Sequence, residues 1–315
     1  MSTLLHGGRL LEACRRHPAA PRPFIDLSTG INPDAYPFTP PPASAWQRLP
    51  EPEHVAQLEA AAARTYGAPD PACVVASPGT QALIQLLPSL RPQKRIAIPG
   101  PTYAEHAAIW QAAGAQVDPA LGTARAAVLC NPNNPDGTRH APSALLALGL
   151  GLLIVDEAFA DFEPGLTLAP ALPHPGIVIL RSFGKAYGLA GLRLGFALAE
   201  PALATRIRTA LGPWAVSGPA ITIGDQALSD RAWQTAAAAR AHTASNRLRA
   251  VLTQAGHRAI GGTALFQLAE GPPGLADAFA EAGILVRSFP DQPGRFRCGL
   301  PPDEPAWTRL QAALI

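Results

Sequence analysis

The chain has 315 residues, a formal charge of +2, 15% charged residues and 48% hydrophobic ones. That length suits one large domain or two unequal ones, and the apolar share is ample for a buried core. The basic residues are scattered and leave no nucleic-acid footprint, and no apolar run reaches the roughly 20 residues that span a bilayer.

The N-terminal stretch "MSTLLHGGRLLEACRR" lacks the layout of a signal peptide, because its apolar part is short and is broken by His6 and two glycines. Residues 1–50 are rich in proline and read as an extended arm with short helical pieces. From Glu51 the texture changes: "EHVAQLEAAAARTYG" is a helix closed by a glycine. Short apolar runs then alternate with helical stretches, at 73–77, 95–100, 126–130, 151–157, 176–180 and 192–199. Buried runs of this length, separated by helices, predict a mostly parallel sheet flanked by helices. A long Ala/Arg-rich helix is expected at roughly 219–255, followed by a C-terminal αβ segment. The expected division is an arm and part of a small domain over 1–50, a large domain over 51–212, and a connecting helix with the rest of the small domain over 213–315. The four cysteines, Cys14, Cys73, Cys130 and Cys298, show neither disulfide nor metal-ligand spacing. They read as reduced thiols of a cytoplasmic protein without a metal centre.

In an open parallel sheet, ligands bind beyond the carboxyl ends of the strands, and four of the predicted strands end in polar residues. After "CVVAS" come Gly79, Thr80 and Gln81, which open a helix whose free N–H groups and dipole favour an anion; a Gly-Thr start also serves as a plain cap. "AAVLC" runs into "NPNNPDGT", a rigid turn able to present Asn134, or an ordinary loop. "GLLIVDE" places Asp156 at a strand end, where a buried carboxylate needs a partner; a helix cap or a structural ion pair is the other reading. The fourth stretch, "RSFGKAYGLAGLRLGFA", holds Lys185, and only two of the 25 basic residues are lysines, Lys94 being the other. A lysine amine in a dry pocket loses its proton readily and attacks carbonyls to form a Schiff base. Ser182, three residues before it, and Arg193, eight after, are placed to hold a dianionic phosphate. Each feature alone is ambiguous; their conjunction is specific.

With these motifs the chain resembles the fold-type I pyridoxal-phosphate enzymes of the class I/II aminotransferase superfamily over essentially its whole length. The resemblance implies an α/β fold: a mostly parallel central sheet flanked by helices, with a smaller α+β domain built from both chain ends. It implies pyridoxal 5'-phosphate as cofactor, with Lys185 forming the Schiff base and Asp156 pairing with the protonated pyridine nitrogen. Asn134 is then expected on the ring's phenolic oxygen, Tyr103 of "GPTYAEH" on the ring face, and Gly79, Thr80, Ser182 and Arg193 around the phosphate. Within the superfamily the chain is similar to two families, the histidinol-phosphate aminotransferases and the threonine-phosphate decarboxylases of cobalamin biosynthesis. "LLHGGRLLEA", "IDLSTGINPDAYP", "GPWAVSGPA", "ILVRSFPDQPGRFRCGLP" and Phe159 of "DEAFADF", where most aminotransferases carry tyrosine, favour the decarboxylases. That family implies decarboxylation of L-threonine O-3-phosphate; transamination of a phosphorylated amine such as histidinol phosphate is the alternative. By the same resemblance Arg287 and Arg297 take the substrate carboxylate, while His6, Ser28 and Asn32 lie near the substrate phosphate. A homodimer is implied, with no nucleic-acid or membrane partner. The arm departs from many relatives, carrying Leu49 and Pro50 where they have a Tyr-Pro.

Overall fold

The computed structural model describes residues 7–314. Its strands, in chain order, are β1 (Ile25–Asp26), β2 (Val74–Ser77), β3 (Arg95–Ala97), β4 (Gln116–Asp118), β5 (Ala126–Cys130), β6 (Leu152–Asp156), β7 (Ile177–Ser182) and β8 (Gly195–Ala199), then β9 (Arg258–Thr263), β10 (Phe266–Glu270), β11 (Ile284–Leu285), β12 (Arg287–Ser288) and β13 (Arg295–Gly299). The chain divides into two compact units. The larger comprises Tyr36–Asn134 and Thr138–Gln234; the smaller comprises Met1–Ala35, Pro135–Gly137 and Thr235–Ile315.

The larger unit is built on a seven-stranded sheet in the order β2-β8-β7-β6-β5-β3-β4. Among the described strands of this sheet β8 alone is antiparallel to its neighbours, β2 and β7. The expected α/β class and mostly parallel sheet are what the structure has. Strands β2, β5, β6 and β8 are buried along their whole length, which is why they read as continuous apolar runs rather than alternating ones. The sheet packs on Leu83, Ile84 and Leu87 of the helix Thr80–Leu90, Trp110 of Ala104–Ala112, and Leu203 and Ile207 of Pro201–Leu211. Each such buried side chain stabilises the fold by about 1.5–3 kcal/mol. The predicted helix after Glu51 spans Pro52–Tyr66, with proline in its first turn and Gly67 closing it at φ 78°. The edge strand β4 is partly exposed and only three residues long, so no apolar run announced it.

One expectation is corrected. The long helix over 219–255 is two helices, Gly218–Ser229 and Arg231–Gln254. Asp230 leaves the helical region, at φ −90° and ψ 80°, and its carboxylate accepts the Trp233 N–H at 2.9 Å, starting a new helix. The two compact units part at 35/36 and 234/235. The helix Gly218–Ser229 packs on Pro52–Tyr66 and so belongs with the larger unit.

The smaller unit holds a four-stranded antiparallel sheet in the order β12-β13-β10-β9 and a two-stranded parallel pair, β1 with β11. In the β12–β13 ladder Arg287 lies directly opposite Arg297. Cys14, Cys73, Cys130 and Cys298 are all free thiols. Among the described residues no helix is long and apolar enough to cross a membrane.

Candidate active site

Because β8 runs against the other strands, its start lies at the same sheet edge as the ends of β2, β3, β5, β6 and β7. That edge gathers Gly79 and Thr80 after β2, Tyr103 after β3, Asn134 after β5, Asp156 at the end of β6, Ser182 and Lys185 at and after β7, and Arg193 before β8. A cavity of about 190 Å³ opens there. It is lined by Thr80, Gln81, Tyr103, Cys130, Pro132, Asn134, Asp156, Ala158, Phe159, Ser182, Lys185 and Arg193. Of the expected cofactor residues, only Gly79 is not on that wall, and it lies directly behind Arg193: a Cβ there would sit 2.5 Å from Arg193 Nη2.

At one end of the cavity stands a buried acid. Asp156 accepts the Ala158 N–H on Oδ1 at 3.1 Å, and its Oδ2 lies 2.9 Å from His106 Nε2. Both open readings of this aspartate are thus partly met, a local turn and a charged partner. Sequence reasoning missed His106, although "TYAEH" puts it one helical turn after Tyr103; the two rings meet edge to face at 5.7 Å. Burial opposes a charge on His106, but its hydrogen bonds to Asp156 and Cys130 outweigh this and raise its pKa to about 10. His106 is therefore an imidazolium at neutral pH, held against Asp156 Oδ2. Cys130 pairs with Asp156 across β5 and β6 and accepts a hydrogen bond from Thr102 Oγ1 at 3.1 Å. Tyr103 donates from its hydroxyl to Gln81 Oε1 at 3.2 Å, and Gln81 Nε2 donates to Glu105 Oε2 at 3.0 Å. Burial first, then Glu105 and Asp156, push the Tyr103 phenol up to about 12. It stays neutral.

At the other end is a helix start. Gly79 precedes the helix Thr80–Leu90 at φ 85° and ψ 158°, a conformation reserved for glycine, and makes no side-chain cap. The first-turn N–H groups are thereby left to a ligand. Among the described residues, Arg193 is one of two non-glycine residues at positive φ, 54°. The 3-10 turn Ala190–Leu192 and this left-handed residue delay β8 to Gly195, three residues later than the apolar run suggested. Gly195 allows the close approach, since a Cβ there would meet Thr80 N at 2.7 Å. Between the two ends Lys185 Nζ lies 5.6 Å from the centroid of the Phe159 ring. The cavity can therefore bind a dianion at the helix start, hold a protonated ring nitrogen against Asp156, and present one primary amine between them.

The expected substrate residues lie in the smaller unit. His6 lies outside the described residues. Arg297 is buried and donates from Nη2 to Ser28 O at 2.8 Å. Burial, and next the neighbouring Arg287, lower its pKa to about 10; burial also lowers that of Arg287. Two close guanidiniums held in this way favour an anion between them. Ser28 is expected at the substrate phosphate; the residue is 1% exposed, and its hydroxyl donates to Asp26 Oδ1 at 2.5 Å and accepts the Gly8 N–H at 2.8 Å. What it gives Arg297 is its carbonyl. Asn32, also buried, accepts the Asp34 N–H at 3.1 Å on Oδ1.

The chain matches the family described as Aminotransferase class I and II over residues 25–123 and 120–313. It is 45% identical over 330 residues to the threonine-phosphate decarboxylase of Pseudomonas aeruginosa, covering 99% of this chain and 97% of the relative. It is 44% identical over 328 residues to that of Sinorhizobium sp, again covering 99% and 97%. Among solved structures, histidinol-phosphate aminotransferase from Sinorhizobium meliloti in complex with pyridoxal-5'-phosphate superposes with a TM-score of 0.80. That likeness, at 21% identity over 100% of this chain and 98% of the other, shows the shared fold. Sequence match and fold agree: this chain belongs to the aminotransferase class I and II family.

Proposed function

We propose that this protein is a pyridoxal-phosphate-dependent decarboxylase that converts L-threonine O-3-phosphate to (R)-1-amino-2-propanol O-2-phosphate and carbon dioxide, the role in cobalamin biosynthesis that its resemblance implies. The observation that carries the reading is the 45% identity to a threonine-phosphate decarboxylase along nearly the whole of both chains.

The residues of the cavity fit pyridoxal phosphate. Gly79, Thr80, Ser182 and Arg193 would hold its phosphate, Asp156 its ring nitrogen, Asn134 its phenolic oxygen and Tyr103 its ring face. When bound, the cofactor supplies an aldehyde that takes up a primary amine and a protonated ring that accepts electrons from Cα. The protein's own part is to bind, orient and move a proton. His106 holds Asp156 in place through Oδ2, so that the acid would face the ring nitrogen. Phe159 lacks a hydroxyl and donates nothing to the phenolic oxygen. Arg287 and Arg297 take the substrate carboxylate by bidentate hydrogen bonds, and His6 and Asn32, with the backbone that Ser28 orders, meet its phosphate. Binding energy from the substrate phosphate would go into fixing how Arg287 and Arg297 hold the carboxylate, and that positioning would favour loss of carbon dioxide over loss of a proton. As the Cα–carboxylate bond breaks, carbon dioxide leaves, and Lys185 Nζ delivers the proton that takes its place on Cα. The same reading makes the protein a cytoplasmic homodimer. Its support is the exposure of Trp46, Leu49 and Trp214 on the larger unit, an apolar surface suited to a second copy.

The test is release of carbon dioxide from L-threonine O-3-phosphate with no 2-oxo acid present. Turnover only on addition of 2-oxoglutarate, with the cofactor otherwise left as the amine, assigns an aminotransferase instead.

A further inference from the structure

Arg181 stands immediately before Ser182 on β7 and is 3% exposed. Its guanidinium reaches two carboxylates. Nη1 donates to Glu157 Oε2 at 2.8 Å, and Nη2 lies 3.3 Å from Asp161 Oδ1. The Tyr66 ring covers it, with Cζ 4.3 Å from the ring centroid. Glu157 is also tied through Oε1, which accepts the Leu168 N–H at 2.8 Å. The two acids bracket a short segment, Ala158 to Ala160, which carries two parts of the cofactor cavity. Ala158 N–H donates to Asp156 Oδ1, and the Phe159 ring lies beside Lys185 Nζ. One guanidinium, four residues before Lys185, thus holds both ends of the segment that orients Asp156 and flanks the lysine.

We propose that Arg181 is a positioning residue of the cofactor site: by clamping Glu157 and Asp161 it sets where the Asp156 carboxylate and the Phe159 ring lie relative to Lys185. The clamp needs a planar fork with several fixed donors; a lysine ammonium is a point charge on a flexible stem and cannot span two carboxylates in the same geometry. Bare stability does not explain the arrangement. Two buried carboxylates against one cation are expensive to desolvate, and an apolar cluster of equal volume is often as stable or more so. What the ionic arrangement adds is direction. Strand pairing supports this, because Glu157 N–H also donates to Leu180 O at 2.9 Å, locking β6 and β7 in register at the same point.

The inference rests on the cavity being a pyridoxal-phosphate site, not on the choice of substrate. The test uses the holoprotein and its Arg181→Lys and Asp161→Asn variants, well below their melting temperatures. The pH titration of the visible absorption of the lysine-bound cofactor is recorded, with kcat and KM for carbon dioxide release. In Arg181→Lys the absorption midpoint moves by about half a pH unit or more, and kcat falls about tenfold while KM stays within about twofold. Asp161→Asn, which frees only the far end of the segment, gives a smaller shift of the same sign. Should Arg181→Lys fail to fold, Asp161→Asn decides on the same readouts. Variants that melt lower but keep the wild-type midpoint and kcat overturn the proposal and leave Arg181 a structural residue. A wild-type holoprotein without a visible band overturns the cofactor reading, and this proposal with it.

Discussion

This chain uses arginine almost wherever it needs a cation, yet Lys185 stands at the end of β7. A guanidinium does not lose its proton in proteins and offers no free amine, so arginine cannot serve at this point. Borohydride reduction of the holoprotein should therefore leave the cofactor on Lys185, and Lys185→Ala should carry no reducible lysine adduct by mass spectrometry; an adduct on Lys94 in both would show that the cavity is not where the aldehyde bonds. Lys185 is legible in the sequence as a candidate because Ser182 and Arg193, its neighbours in the chain, line the same cavity. His106 is not, because its partner Asp156 is 50 residues away, and a histidine inside a helix usually means nothing. Its folded pKa, about 10, lies above its ordinary 6.5. The stability it contributes is thus fully present below about pH 6.5 and fades as pH rises through about 10. In the cofactor-free protein, His106→Gln should lower the urea midpoint clearly at pH 7 and much less near pH 10. An equal gap at both pH values would show that His106 carries no charge.

At the scale of single elements, the start of the helix Thr80–Leu90 and the entry to β8 act as one device. Gly79 adopts a backbone conformation open only to glycine, and its missing side chain makes room for Arg193, itself in the left-handed region. Gly79→Ala should destabilise the protein by about 1–3 kcal/mol through backbone strain. It should also weaken pyridoxal phosphate by tenfold or more, since the new Cβ displaces the guanidinium. Fluorescence titration measures the second effect; unchanged affinity would mean that the phosphate is held elsewhere. The helix itself was readable from Gly79, Thr80 and Gln81. The collision with Arg193 was not, because it arises only when β2 and β8 pair. The break at Asp230 escaped for a different reason: stretches compatible with a helix, "DQALS" before it and "RAWQTAAAAR" after it, flank it on both sides, and one capping aspartate leaves no mark on the composition.

At the scale of the whole molecule, the homodimer is the open proposition. Trp214 is 58% exposed and lines a groove with Pro50, Pro52 and Val55, next to the exposed Leu49. Trp214→Glu places a charge there and should yield monomers by analytical ultracentrifugation, with cofactor affinity much less affected than turnover. A dimer of unaltered stability would mean that another surface joins the subunits. The division into units also belongs to this scale. The proline-rich texture ends near residue 50, but packing, not texture, decides which unit a segment joins, and Tyr36 packs on helical residues of the larger unit: its hydroxyl donates to Gln226 O, and its ring meets Trp233 edge to face at 5.1 Å.

The sequence by itself determined whatever depends on neighbours along the chain. Strands buried on both faces must be continuous apolar runs, and polar residues that stop such runs must emerge at a sheet edge; β2, β5, β6 and β7 and their terminal Gly79, Asn134, Asp156 and Lys185 follow from that. Only the tertiary structure decided the pairs. The order β2-β8-β7-β6-β5-β3-β4 brings Cys130 beside Asp156 and Arg193 against Gly79, and the helix after β3 delivers His106 to the same acid. Arg287 meets Arg297 because β12 and β13 are antiparallel in one register. Hydrogen bonds and ion pairs act over a few ångströms, and pattern along the chain does not encode which distant residues the fold will bring within that range.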